Sequence, residues 1–378
     1  MSSICYLDCS ATSPLESEVL DAMRPYLEEE LGNSGSRTHE FGIRANRAVE
    51  NARKQVAEVV DSSQAEVVFT SGATESNNIA ILGLRDFAAE RGRKHIVSTT
   101  IEHKAVLEPV DVLKAAGFDV TLVNPGANGR VKAADVLDAV REDTLLVSVM
   151  HANNETGVIQ PISEISAGLR GSAAFFHTDA AQSFGKDIKT LQDQRIDLIS
   201  ISGHKIFGPK GVGSLITRRR GHNRLPLKPI MYGGGQERGL RPGTLPVHLI
   251  VGLGMASFVA LRDQKERAEK CLDFRRKLLA GLEELTPAVH GDPDFHLPHV
   301  VSLSIADIDS EAIMLALKDE VAISNGSACT SASYSPSHVL NAMGMSAVEA
   351  DAVTRWSWCH RTPEPDWEAI KQRIKILL

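Results

Sequence analysis

The chain of 378 residues has no run of about 18 apolar residues, so no membrane-spanning helix is expected. Its first residues, MSSICYLDCSAT, show no basic segment leading into a long apolar stretch. That argues against a secretory leader and for the cytoplasm. Only five cysteines occur, Cys5, Cys9, Cys271, Cys329 and Cys359. Their odd number and irregular spacing, with no CxxC pair and no zinc-type Cys/His pattern, exclude a disulfide framework and a structural zinc site. Neither a GK[ST] phosphate loop nor a GxGxxG dinucleotide fingerprint is present. Internal repeats and low-complexity tails are also lacking. A net charge of −7 removes the electrostatic signature of a nucleic-acid binder.

What is present is an alternation of short β-branched runs with helical patterns. EVVFT (66–70), HIVST (95–99), DVTLV (119–123), TLLVSVM (144–150), AAFFHTD (173–179), DLISIS (197–202) and GSLITR (213–218) read as strands. Helices are expected near 75–90, 106–116, 133–141 and 162–169. Such alternation implies βαβ units and a mostly parallel sheet covered on both faces. The site should then lie in loops beyond strand ends. After residue 244 the pattern changes. One long helix or two fill 248–285, then HVVSLSI (299–305) and EVAIS (320–324) flank a helix at 311–317. Ser335-Pro336 reads as an N-cap with a first-turn proline. Ser346 and Glu349 have capping-box spacing. The expected organisation is an N-terminal arm (1–15) packing with the small domain, a large domain (16–250) and a small C-terminal α/β domain (251–378).

Three stretches can carry chemistry. SGATES (71–76) joins a strand to a helix; it is an anion-binding turn or an ordinary βα turn. In HTDAAQS (177–183), Asp179 ends a buried strand, either as a helix cap or as a carboxylate facing a buried cation. In SGHKIFGPKG (202–211), Lys205 is a surface lysine or a partly desolvated nucleophile. Their order in one α/β domain decides between these readings. A phosphate anchor, a ring-nitrogen partner and a Schiff-base lysine are what pyridoxal 5'-phosphate needs.

SGATES, EHKAV (102–106), NNETG (153–157), TDAAQS, SGHKIFGPKG, RPGT (241–244) and NGSACTSAS (325–333) together resemble the cysteine desulfurases of the IscS/NifS type. The resemblance runs from YLDCSAT (6–12) to RWS (355–357). It implies a fold-type-I pyridoxal-phosphate enzyme of the aminotransferase class-V family. By that resemblance Lys205 binds the cofactor, Asp179 meets the ring nitrogen and His103 stacks on the ring. Ala73, Thr74, Ser202 and His204 surround the phosphate, with Thr244 arriving from the other subunit of a homodimer. Asn154 and Gln182 contact the ring oxygen or the substrate. Arg355, with Asn33 and Asn154, holds the substrate carboxylate; a planar guanidinium suits that task. Cys329 takes sulfur from L-cysteine as a persulfide, releasing L-alanine, and delivers the sulfur to an acceptor protein. Gly326, Ser327 and Ala328 give that stretch backbone freedom.

The sequence departs from the family in places. GNSGSRTH (32–39) lacks the proline usual after the asparagine. RWSWCHR (355–361) has Trp358, Cys359 and His360 where Leu, Gly and Arg are usual. Cys359 and His360 read as packed strand residues, and Cys5, Cys9 and Cys271 as structural. The chain stops soon after its last helix, which suggests a specialised acceptor pathway such as DNA phosphorothioation or tRNA thiolation beside iron–sulfur assembly. The basic cluster RRRGHNR (218–224) reads as a solvated turn, and direct nucleic-acid contact is not expected. Two other readings are a selenocysteine lyase or related lyase or transferase, and a scaffold subunit of a sulfur-transfer complex. The thiol-bearing loop disfavours an aminotransferase, and the intact cofactor positions disfavour a scaffold.

Overall fold

The structure is a computed structural model that describes residues 4–306, 308–325 and 337–378. Strand β1 (Cys5–Tyr6) precedes a 20-residue helix, Glu40–Val59. Seven strands follow: β2 (Val67–Thr70), β3 (His95–Thr99), β4 (Asp119–Val123), β5 (Thr144–Ser148), β6 (Phe175–Asp179), β7 (Leu198–Ser202) and β8 (Gly213–Thr217). They form one sheet in the order β2-β8-β7-β6-β5-β3-β4. Only β8 runs antiparallel to its neighbours β2 and β7; the other pairs are parallel. The sheet is therefore mixed and mostly parallel. β3, β5, β6 and β7 are buried along their whole length, which is why they read as continuous apolar runs. The edge strand β4 is the partly exposed one.

The helix Val247–Leu282 runs unbroken for 36 residues and packs along Glu40–Val59. Where Gly254 faces Ala52, a Cβ on Gly254 would lie 2.6 Å from Ala52 Cα, so only glycine fits there. The boundary expected between 250 and 251 falls inside this helix. Beyond it come β9 (Ala288–His290), β10 (Val300–Ser304), β11 (Val321–Ala322), β12 (Ser324–Asn325) and β13 (Thr354–Ser357). The antiparallel order β12-β13-β10-β9 closes a second core around Leu278, Leu303, Ile313, Trp356 and Trp358. β11 pairs with β1 instead. EVAIS thus splits at Ile323, because its two halves meet different partners.

Other departures from the sequence reading have local causes. The helix expected at 75–90 is two, Ala73–Leu82 and Arg85–Arg91, separated at Gly83 and Leu84. Ser335 and Pro336 lie outside the described residues. The helix His338–Ala342 is capped by Ser337, whose Oγ accepts from the Leu340 N–H at 3.1 Å. Ser346 and Glu349 do form the capping box. The basic cluster is not simply a solvated turn. Arg218 is 2% exposed and donates to the carbonyls of Val60, Leu191, Asp193 and Ile196. Arg220 pairs with Asp197 at 2.7 Å. A buried guanidinium is costly unless its donors are met, and here backbone carbonyls meet both Nη groups of Arg218, while its Nε has no partner among the described residues.

Candidate active site

The ends of β6 and β7 and the turn after β2 open into one cavity of about 590 Å³. A site at the carboxyl ends of parallel strands is the general expectation for such a sheet. Ala73, Thr74, His103, Asn154, Asp179, Gln182, Ser202, His204, Lys205 and Arg355 all line it. Residues from 73 to 355 in the chain are thus brought together. Of the expected site residues that are described, Asn33 and Thr244 do not line the cavity. Asn33 is exposed, and its Oδ1 accepts from the Gly35 N–H at 2.8 Å in a local turn. Thr244 is exposed on a loop tied down by Arg241, which pairs with Glu75 at 2.9 Å. Cys329 lies outside the described residues.

The anionic pole is Asp179. Asn77 Nδ2 donates to its Oδ2 at 2.7 Å, and the Ala181 N–H donates to its Oδ1 at 2.9 Å. Both bonds aim the carboxylate without neutralising it. The cationic pole is Lys205, whose Nζ donates to the Ser10 carbonyl and, at 2.9 Å, to the Ala11 carbonyl. His103 caps the helix Lys104–Ala115, with Nδ1 accepting from the Ala105 N–H at 3.0 Å. Burial lowers its pKa, with Asp179 opposing and Lys205 assisting. A neutral ring that accepts at Nδ1 carries its proton on Nε2.

The turn Ser71–Gly72 leads into the N-terminus of the helix Ala73–Leu82. A Cβ on Gly213 of β8 would lie 2.6 Å from Gly72 Cα, so glycine lets β8 pass directly against this turn. Unpaired N–H groups and the helix dipole make such a terminus a seat for a phosphate. Ser202 and His204 line the same cavity. Burial, helped by Lys205 and Lys210, pulls His204 down to about 4. Glu75 sits at this terminus. Burial opposes its ionisation, but donors on Arg241 and Ser71 prevail and hold its pKa below the usual range.

Several cavity residues were not anticipated from the sequence. Ser10, Ala11 and Thr12 of the N-terminal arm form one wall. Besides holding Lys205, Ser10 accepts through its carbonyl from Gln182 Nε2 at 2.9 Å. Backbone carbonyls leave no trace in residue types, so no sequence signal marks them. Asn77 had a signal: it lies one turn into the helix after SGATES, on a buried face. Arg355 is 1% exposed; its Nη2 binds Asp8 Oδ1 at 2.8 Å and its Nη1 the Asn154 carbonyl at 3.0 Å. Its Nε has no hydrogen-bond partner among the described residues. Asp8 thus orients the guanidinium beside the cavity.

The chain on either side of the Cys329 stretch is anchored here. Ser324 of β12 pairs with Arg355, and the Ser337 hydroxyl donates to Glu155, next to Asn154. The residues present fit pyridoxal phosphate. A carboxylate is aimed for a cationic ring nitrogen, an amine is within the same cavity, and a helix terminus can take a phosphate.

Residues 5–369 match the aminotransferase class-V family. The chain is 44% identical to the cysteine desulfurase IscS of Vibrio campbellii over 98% of its own length and 92% of that relative. Among solved structures it resembles a NifS-like protein, with a TM-score of 0.89, 35% identity and coverage of 99% and 98% of the two chains. It also resembles DndA from Streptomyces lividans, with a TM-score of 0.83, 47% identity and coverage of 96% and 100%.

Proposed function

This chain belongs to the aminotransferase class-V family as a cysteine desulfurase, and we propose that the cavity around Lys205 and Asp179 binds pyridoxal phosphate and L-cysteine, with Cys329 receiving the sulfur. The observation that carries this reading is the meeting of Lys205, Asp179, His103 and the Ser71–Thr74 turn in one cavity.

When bound, the cofactor supplies an electron sink for negative charge at the substrate Cα. The protein's residues do the rest. The N–H groups at Ala73 and Thr74, with Ser202 and His204, would hold the phosphate. Asp179, kept in place by Asn77 and Ala181, would face the ring nitrogen and favour its protonated form. Lys205 Nζ would act as general base toward the Cα proton. His103, with its proton on Nε2, would lie against the ring and donate toward the reacting groups. Arg355, already oriented by Asp8, takes the substrate carboxylate. Cys329, as thiolate, attacks the substrate sulfur and keeps it as a persulfide for an acceptor protein. Both flanks of its segment are tied to Arg355 and Glu155, beside the carboxylate site.

Thr244, exposed on the loop that Arg241 ties to Glu75, would contact the phosphate of a second copy in a homodimer. Among the described residues no helix is long and apolar enough to cross a membrane.

The test compares wild type with Cys329→Ala, with dithiothreitol present to reduce the persulfide, following alanine, sulfide and the visible cofactor band. Wild type should give equal alanine and sulfur. The variant should keep the band and yield neither. Full activity in the variant would remove Cys329 from the mechanism. Absence of the band in both proteins would favour a scaffold subunit.

A further inference from the structure

Behind the first cavity lies a second one that the proposed chemistry does not use. Its walls include Lys186, Phe207, Cys271, His299, Cys359 and His360. Cys359 also lines a surface depression with Lys270, Lys277 and Thr362. Cys359, itself buried, thus borders both the interior cavity and this depression.

Cys9 packs against Cys359 and Phe207. Backbone pairing brings the two cysteines together. Asp8 bridges to Ser357, and the Cys9 N–H donates to the Ser357 carbonyl at 3.0 Å. The Thr362 hydroxyl donates to the Cys359 sulfur at 3.5 Å. Interaction with the Cys9 thiol first, then with this hydroxyl and the Arg361 backbone N–H, lowers the Cys359 pKa against the opposing effect of burial. The same interaction, with burial, raises that of Cys9. Cys359 is thus the more acidic of two thiols packed together. Burial pushes the other described cysteines up, Cys271 to about 12 and Cys5 to about 11, so they stay protonated and unreactive.

We propose that Cys9 and Cys359 are a reversible oxidation site, a dithiol that hydrogen peroxide converts to a disulfide. Cys359 thiolate attacks one peroxide oxygen, and the O–O bond breaks. Cys359 becomes a sulfenic acid, and the departing hydroxide takes a proton to leave as water. The Cys9 sulfur then attacks the Cys359 sulfur. The S–S bond forms, the S–O bond breaks, and the Cys9 proton leaves with the second water. The two thiols lose two electrons, and the peroxide gains them. The disulfide would tie the arm bearing Ser10 and Ala11, which hold Lys205, to the segment that follows Arg355. This inference does not depend on the role proposed for Cys329.

The experiment treats the wild-type holoprotein with hydrogen peroxide, blocks remaining thiols by alkylation and maps peptides without reduction. The expected result is a linked pair containing Cys9 and Cys359, lighter than the sum by two hydrogens. The alkylated forms of both peptides should be lost in parallel, and dithiothreitol should restore both. A Cys359 that stays alkylated, proceeds to sulfinic acid unlinked, or joins Cys271 or Cys329 would overturn the proposal.

Discussion

Two lysines in adjoining cavities separate two meanings of a buried amine. Lys205 faces a polar cavity of about 590 Å³, held by two backbone carbonyls and sharing the space with Asp179. Lys186 faces thiols and aromatic rings, and its Nζ lies 3.0 Å from His299 Nε2. Burial lowers Lys186 to about 8, with Lys205 the next cause. By pKa alone Lys186 qualifies as a nucleophile. What it lacks is a carboxylate to face a ring nitrogen, a helix terminus for a phosphate and the room for both. A perturbed amine becomes catalytic only where the cofactor's other groups also find partners.

The strongest way to break this comparison is to remove each amine in turn. Lys205→Ala should abolish the cofactor band that depends on its amine and lower turnover by about 10²–10⁴-fold or more, the usual worth of a general base. Turnover and band should be followed with thermal stability, which should change little. An unchanged band would shift attention to Lys186. Lys186→Met should keep the band and most of the turnover. Its stability should stay within about 2 kcal/mol, since relief from desolvation offsets the partner lost by His299.

The smallest effect sharpens the charge side of the comparison. Glu102, next to His103, is buried, and this raises its pKa from 4.5 to about 8. Its Oε1 accepts from the Met150 N–H and the Thr99 hydroxyl, each at 2.8 Å. The folded protein therefore keeps this proton between pH 4.5 and 8, while the unfolded chain gives it up. Stability from this group is full below pH 4.5 and falls as pH rises to about 8, with a slope of at most about 1.4 kcal/mol per pH unit. Glu102→Gln should flatten that part of the denaturation-midpoint profile. If it does not, Glu102 is ionised in the folded protein, and a further buried anion lies next to His103.

Much of this architecture is readable from residue order alone. The strands of the large sheet announced themselves because burial on both faces forces continuous apolar runs. Candidates such as Thr74, Asp179 and Lys205 were legible because each sits just after such a run, at a strand end or a helix start, and the fold brings them to one cavity. The split of EVAIS and the buried Arg218 were not legible. Each depends on which distant backbone lies alongside, and residue types do not report that. The same holds for Asp8 orienting Arg355 and for Ser10 and Ala11 holding Lys205.

Residue order alone is enough for the strands, most helices, the capping box at Ser346 and the choice of Lys205 and Asp179 as candidates, which line one cavity. Those depend on local period, on capping chemistry and on motif order, all properties of short stretches. Only the tertiary structure decided which amine opens onto a usable cavity, and which thiol meets which. Cys9 and Cys359 stand at opposite ends of the chain, and no local rule links them. They meet because Asp8 pairs with Ser357 once the arm is laid against β13. Contacts of that kind arise only when separate elements pack, and there the burial and donors that tune each group are set.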